Sequence, residues 1–344
     1  MMEKKSANPL KSILTIVISL AFAGFFLWLA LKGFEFEKVQ KSLAKANYLW
    51  VAIAGVFGVL AYWLRAVRWN LLLEPMGYNI SSSNAFWTIS FGYLMNLTIP
   101  RSGELARATA LYGVEKVPVD KSFGTIILER VVDLICMMVF LGLTFIFKYE
   151  AILSFYENSE IKFNPNKVIL IISILVLGAI LFFVFKKKLA TVPILGKIIG
   201  FIDGILQGLT SIFKLKQKVK FILYTIGIWI CYFMAAYLVC FALPETSDFT
   251  IADGFFIIVV GTLGMIVPAS GGIGAFNLAM KYGFMALFIS MGKSAEFGGE
   301  MGLTYSFISL PLQIVIMLTT GLLSIPILAK ARNKLAAETE INNK

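Results

Sequence analysis

The chain has 344 residues, 58% of them hydrophobic, with a mean hydropathy of +0.82 and a net charge of +11. Apolar runs of about 17 to 25 residues exclude a soluble fold and predict an all-α polytopic membrane protein, because about 20 such residues cross a bilayer. There is no histidine, and Cys136, Cys231 and Cys240 all lie inside apolar runs, so neither a metal or cofactor site nor a disulfide framework is expected, and the lysines beside membrane segments read as an orientation signal rather than a nucleic-acid patch.

Full spans are predicted at 12–31, 48–72, 121–147, 167–185, 219–242 and 300–328. The first follows Lys4, Lys5 and Lys11 but lacks a small-x-small cleavage site, so it reads as an uncleaved span. The second ends in Arg65 and Arg68, flanked by Trp63 and Trp69, a pattern read as interfacial anchoring. Residues 84–117 then form a hairpin broken at Pro100-Arg101-Ser102-Gly103, and residues 253–291 a second one broken at Pro268-Ala269-Ser270-Gly271. Proline removes a backbone donor and glycine costs helix stability, so such breaks suit a membrane segment only where the freed backbone lines a protein cavity. Matching breaks in two halves mark a transporter's binding site. Between the hairpins, residues 193–216 carry one apolar face with Gly196, Gly200, Gly204 and Gly208 at every fourth position, which predicts an interfacial or elbow helix. Residues 331–344 form a polar tail.

Charge sets the expected orientation. The lysine-rich segment 186–220 and the tail read as cytoplasmic, whereas the acidic stretches 148–166 and 243–253 read as external. Both termini are then inside a cell (inner) membrane, hairpin 84–117 enters from the cytoplasm and hairpin 253–291 from the other side. Arms 84–99 and 253–267 reach only ~22–24 Å at helical rise, so re-entrant hairpins and paired crossings both fit. Residues 1–150 and 151–330 each read span, span, hairpin, span. Three crossings are odd, so the second copy is predicted to sit upside down as an inverted repeat. Asn84-Ala85-Phe86-Trp87 answers Asp253-Gly254-Phe255-Phe256, and Gly92 answers Gly261.

The densest intramembrane charge is Arg101, Glu104 and Arg107 after the first break, then Glu129, Arg130 and Asp133 in the next span. Charges at this depth are costly and usually functional. The spacings predict two facing clusters, three arginines against three carboxylates, either a neutral salt-bridge network or one that releases its arginines to a phosphate. A guanidinium fork fits phosphate oxygens, and a helix starting after Pro100 aims free N–H groups at the same anion. Asn96 and Asn277 are further candidate binding residues. Pro100, Gly103, Pro268, Ser270, Gly271, Gly272 and Gly274 are expected to shape the hairpin backbones, and Lys281 is placed to add a polar contact. No strand precedes the glycines of the second break, so they are no dinucleotide fingerprint.

The segments Asn96-Leu97-Thr98-Ile99-Pro100-Arg101-Ser102-Gly103-Glu104-Leu105-Ala106-Arg107, Leu128-Glu129-Arg130-Val131-Val132-Asp133 and Pro268-Ala269-Ser270-Gly271-Gly272-Ile273-Gly274-Ala275-Phe276 together resemble the lysylphosphatidylglycerol synthase transmembrane (flippase-like) family, over about residues 10 to 330. The resemblance implies movement of a lipid or lipid-linked headgroup between leaflets. The family's best-known members carry a soluble aminoacyl-lipid synthase domain for which this chain has no room, so aminoacyl transfer is not expected. The position of Asn277 is often acidic in the family; this departure disfavours cationic aminoacylated lipids and leaves an anionic or neutral headgroup. The expectation is a translocase, not an enzyme, acting on a phospholipid or polyprenyl-phosphate-type lipid. A headgroup-modifying membrane enzyme and a non-transporting scaffold are the alternatives.

Overall fold

A computed structural model describes residues 36–99, 101–158, 210–267 and 270–342, with isolated positions between 17 and 31 and at 200 and 203. The span at 167–185, most of those at 12–31 and 193–216, and the break residues Pro100, Pro268 and Ala269 lie outside the described residues, as does the side chain of Ser270.

Ten α-helices run through the described residues: α1 Phe36–Lys45, α2 Tyr48–Leu73, α3 Ser82–Thr98, α4 Gly103–Glu115, α5 Val119–Phe147, α6 Tyr149–Asn158, α7 Lys218–Tyr237, α8 Ile251–Ile266, α9 Ala275–Ser290 and α10 Ala295–Asn342. Four of them, α2, α5, α7 and α10, are long and apolar enough to cross a membrane. Two features differ from the sequence reading. Helix α6 occupies the stretch expected to be an external loop, and α10 carries helix through the expected polar tail as far as Asn342. At ~1.5 Å per residue α10 reaches ~72 Å, well beyond a ~30 Å hydrocarbon core.

Local chemistry fixes the helix ends. Asn47 caps α2 by accepting a hydrogen bond from the Leu49 amide at 3.1 Å. Thr250 and Asp253 form a capping box on α8, and Lys148, just past α5, pairs with Asp253 at 2.6 Å. At both breaks the residue before proline leaves the helix, Ile99 at φ −126°, ψ 110° and Val267 at φ −62°, ψ 130°, because the proline ring excludes its predecessor from helical geometry. Each hairpin arm of the second pair has 16 residues, or ~24 Å.

Each hairpin has its own core. Trp69, Leu72, Ile89, Leu111 and Ile126 pack where α2, α3, α4 and α5 meet, and Phe256, Phe276, Met280, Phe284 and Tyr305 join α8, α9 and α10. Packing between the halves is reciprocal. The second arm of each hairpin lies on the long helix that follows it, α4 on α5 and α9 on α10, while the first arm lies on the long helix of the other half, α3 on α10 and α8 on α5. Helices α2 and α7 pack together between them.

Close backbone contact holds α3 against α4. A Cβ on Gly92 would lie 2.7 Å from the Gly103 carbonyl, and one on Gly103 would collide with the Gly92 carbonyl and the Asn96 side chain. Gly103→Ala is therefore expected to cost ~1–3 kcal/mol, the usual range for overpacking, read as a lower unfolding temperature in detergent. Gly113→Ala is the control, since a Cβ there meets nothing within 4 Å.

Candidate functional site

The site grows from the two ends of the first hairpin. Asn96, near the end of α3, accepts a hydrogen bond from the Gly103 amide at 2.7 Å, so one of the donors left open at the start of α4 is satisfied by a side chain. That start places Glu104 and Arg107 on the face of α4 turned to α5. Arg107 Nη1 lies 2.6 Å from Glu129 Oε2, and Arg130 Nη2 lies 2.8 Å from Glu104 Oε1. The two helices thus pair their charges like rungs.

Arg65 and Arg68 complete the network from α2. Their guanidinium groups are buried, not anchored at an interface as the flanking tryptophans implied. Arg65 lies 2.9 Å and Arg68 3.2 Å from the two oxygens of Asp133, and Arg68 also approaches Glu129 at 3.5 Å. Helix α7 adds neutral partners: Arg65 donates to the Tyr232 hydroxyl at 2.9 Å and Arg68 to the Thr225 hydroxyl at 3.2 Å. The Arg107 guanidinium stacks 3.6 Å from the centre of the Trp69 ring, whose own N–H donates to Thr125 at 2.8 Å.

Four arginines, 65, 68, 107 and 130, therefore meet three carboxylates, Glu104, Glu129 and Asp133. Arginine stays charged in any protein setting, so one positive charge is in excess. The Nε and Nη2 atoms of Arg107 are buried without a hydrogen-bond partner among the described residues. Beside them is a cavity of ≈ 20 Å³, reached by Tyr93, Asn96, Glu104, Arg107 and Arg130, room for about one water. Arg130 keeps the network in touch with the outside, its side chain being 47% exposed.

Arg101 is not part of this cluster. It precedes α4 in a left-handed backbone conformation, φ 63°, which turns its side chain away from Glu104 and Arg107. Its Nη2 donates instead to the Ile266 carbonyl at 2.6 Å, at the end of α8. The two hairpin tips also touch where Gly271 faces Leu97, at 3.0 Å from a Cβ built on the glycine. Gly271, Gly272 and Gly274 all have positive φ, between 61° and 82°, which explains glycine at this turn. Asn277 is buried and bound within its own half, accepting from the Gly274 amide at 3.0 Å and donating to Ser306 at 2.7 Å. Through Ser306, Asn277 ties α9 to α10.

The sequence pattern described as the lysylphosphatidylglycerol synthase TM region matches residues 16–326. The chain belongs to this family. The chain is similar to UPF0104 membrane protein MJ1595 of Methanocaldococcus jannaschii, 24% identical over 196 residues, 56% of this chain and 54% of the relative. UPF0104 membrane protein PH1989 of Pyrococcus horikoshii is 25% identical over 142 residues, 40% of this chain and 41% of its own. Glycosyltransferase AglD of Haloferax volcanii is 29% identical over 122 residues, 35% of this chain but 20% of AglD. The matches thus span about half or less of these curated relatives. No solved structure matches the chain.

Proposed function

We propose that this member of the lysylphosphatidylglycerol synthase TM family moves a phosphate-bearing lipid or lipid-linked headgroup between leaflets, without making or breaking a bond. The observation that carries this reading is the excess positive charge of the buried network, together with the unpartnered donors of Arg107. A neutral strut would match its charges; a surplus guanidinium favours an anion that comes and goes. Bidentate contact from Arg107, with Arg130 at the open side, suits two phosphate oxygens.

The reciprocal packing of hairpins and long helices supports an inverted repeat, and the touching tips support a closed gate between two routes of access. In this reading both termini are cytoplasmic and the halves rock about the α2 and α7 contact. Asn96 and Asn277 hold the hairpin backbones on which the site depends.

Purified protein in liposomes, with labelled phosphatidylglycerol and a labelled polyprenyl phosphate, tests the proposal. The wild type should carry at least one of these lipids across, and Arg107→Ala should slow that transfer at least tenfold, since a charged hydrogen bond is worth ~1.5–3 kcal/mol. Transfer indifferent to Arg107→Ala would overturn it. A change in the lipid's mass would instead identify a headgroup-modifying enzyme.

A further inference from the structure

On the side of α4 turned away from the ion network lies a groove of ≈ 550 Å³, within the ~300–1,000 Å³ of sites that enclose small molecules. Ser102, Ala106, Ala110 and Gly113 line one wall, at spacings of three or four along α4; Leu328 and Arg332 of α10 line the other. Helix α10 touches α3 at Gly321, where a Cβ would lie 2.5 Å from that of Leu94. The small side chains of α4 leave the adjoining space unfilled, so that a Cβ on Gly113 meets nothing within 4 Å.

The groove has polarity along its length. Gly55 and Gly58 of α2 face Leu312 and Ile316 of α10, so the two helices run in the same direction. Asn70, near the end of α2, donates to Ser82 at the start of α3. Arg332 therefore lies at the end of the groove near Gly113, and the hairpin tip with Ser102 at the other. Ser102, just before α4, and Gly113 are eleven positions apart, ~16 Å at helical rise, close to half of a ~30 Å hydrocarbon core. Arg332 is exposed, makes no ion pair among the described residues, and stands beside the exposed Lys330. An apolar channel one leaflet long, ending in an uncommitted guanidinium, has the outline of a lipid with an anionic head.

We infer that this groove holds one chain of an anionic phospholipid drawn from the leaflet at the Arg332 end, with the phosphate on Arg332 and the chain reaching toward the hairpin tip. The inference rests on the translocase reading and places the lipid's waiting position on α4, one helix away from the arginines that would receive its headgroup. The groove fits a phosphate-bearing lipid because chain and charge are recognised at opposite ends.

The test uses the full chain in nanodiscs of equal phosphatidylglycerol and phosphatidylcholine. Native mass spectrometry counts the lipids kept after detergent stripping, and a liposome assay follows labelled phosphatidylglycerol in parallel. The wild type should retain one phosphatidylglycerol. Gly113→Trp, which fills open space, should lose it, and Arg332→Glu should lower the preference over phosphatidylcholine roughly tenfold. A photoreactive residue at Thr109 should label phosphatidylglycerol. Unchanged retention in both variants, or label found only on a peptide of this chain, would overturn the inference while leaving any transport intact. Arg332-dependent retention without transport would keep the groove assignment and remove the translocase reading.

Discussion

Glu129→Leu is expected to cost ~3–5 kcal/mol of stability, because it strands a buried charge. Glu129 has no exposed surface and sits between Arg107 at 2.6 Å and Arg68 at 3.5 Å. Among the described residues, removing it leaves buried Arg107 without an ion-pair partner and Arg68 with Asp133 and the Thr225 hydroxyl. The second half of the experiment separates strut from site. Arg107→Met combined with Glu129→Leu replaces the pair with apolar side chains of similar length, which commonly restores stability. The double variant should therefore unfold near the wild-type temperature yet transfer no labelled lipid. Recovery of transport together with stability would mean that the pair only holds α4 to α5, and the scaffold reading would then be the better one.

Much of this arrangement was legible in the sequence, and the parts that were not have a common cause. Periodicity and apolar length gave α2 and α5 to within two residues and the start of α7 to within one, with the end of α7 five residues earlier than predicted, since each is a property of one contiguous segment. Both hairpins were marked by Pro-x-Ser-Gly, because a proline forces the residue before it out of the helix wherever it occurs. Arg65 and Arg68 were misread because arginine beside tryptophan near the end of an apolar run is also the pattern of an interfacial anchor. Their partner, Asp133, lies 68 and 65 residues away, and no local spacing encodes that distance. A charge count could have raised the question, since three arginines against three carboxylates left nothing to hold an anion. The predicted clustering of Arg101 with Glu104 and Arg107 failed for a local reason: helix begins only at Gly103, and the left-handed backbone at Arg101 sends its side chain to the other hairpin. Helices α1 and α6 escaped notice because short amphipathic segments between spans carry little signal against neighbouring apolar runs.

Arg101→Gly should leave stability within ~1 kcal/mol of the wild type yet alter the gate. Arginine at φ 63° is held in a conformation that costs a non-glycine residue ~1–2 kcal/mol; glycine removes that cost, offsetting the lost contact. What disappears is the hydrogen bond from Nη2 to the Ile266 carbonyl, 2.6 Å long, at a helix end where carbonyls lack intrahelical partners and a cation is favoured. A charged hydrogen bond of ~1.5–3 kcal/mol shifts a two-state equilibrium roughly ten- to a hundredfold, and exposure of Arg101 places the expected shift near the lower end. Spin labels on the exposed residues Thr98 and Leu263, in a background without the three cysteines, would follow the tips. The variant should gain a population with the labels farther apart, and its transport should change in the same samples. Identical distance distributions and identical transport would show that the tips are joined by packing alone, through Leu97 and Gly271, and that Arg101 is no clasp. A glycine variant is the informative choice because alanine at the same position would keep the backbone cost and confound strain with the missing guanidinium.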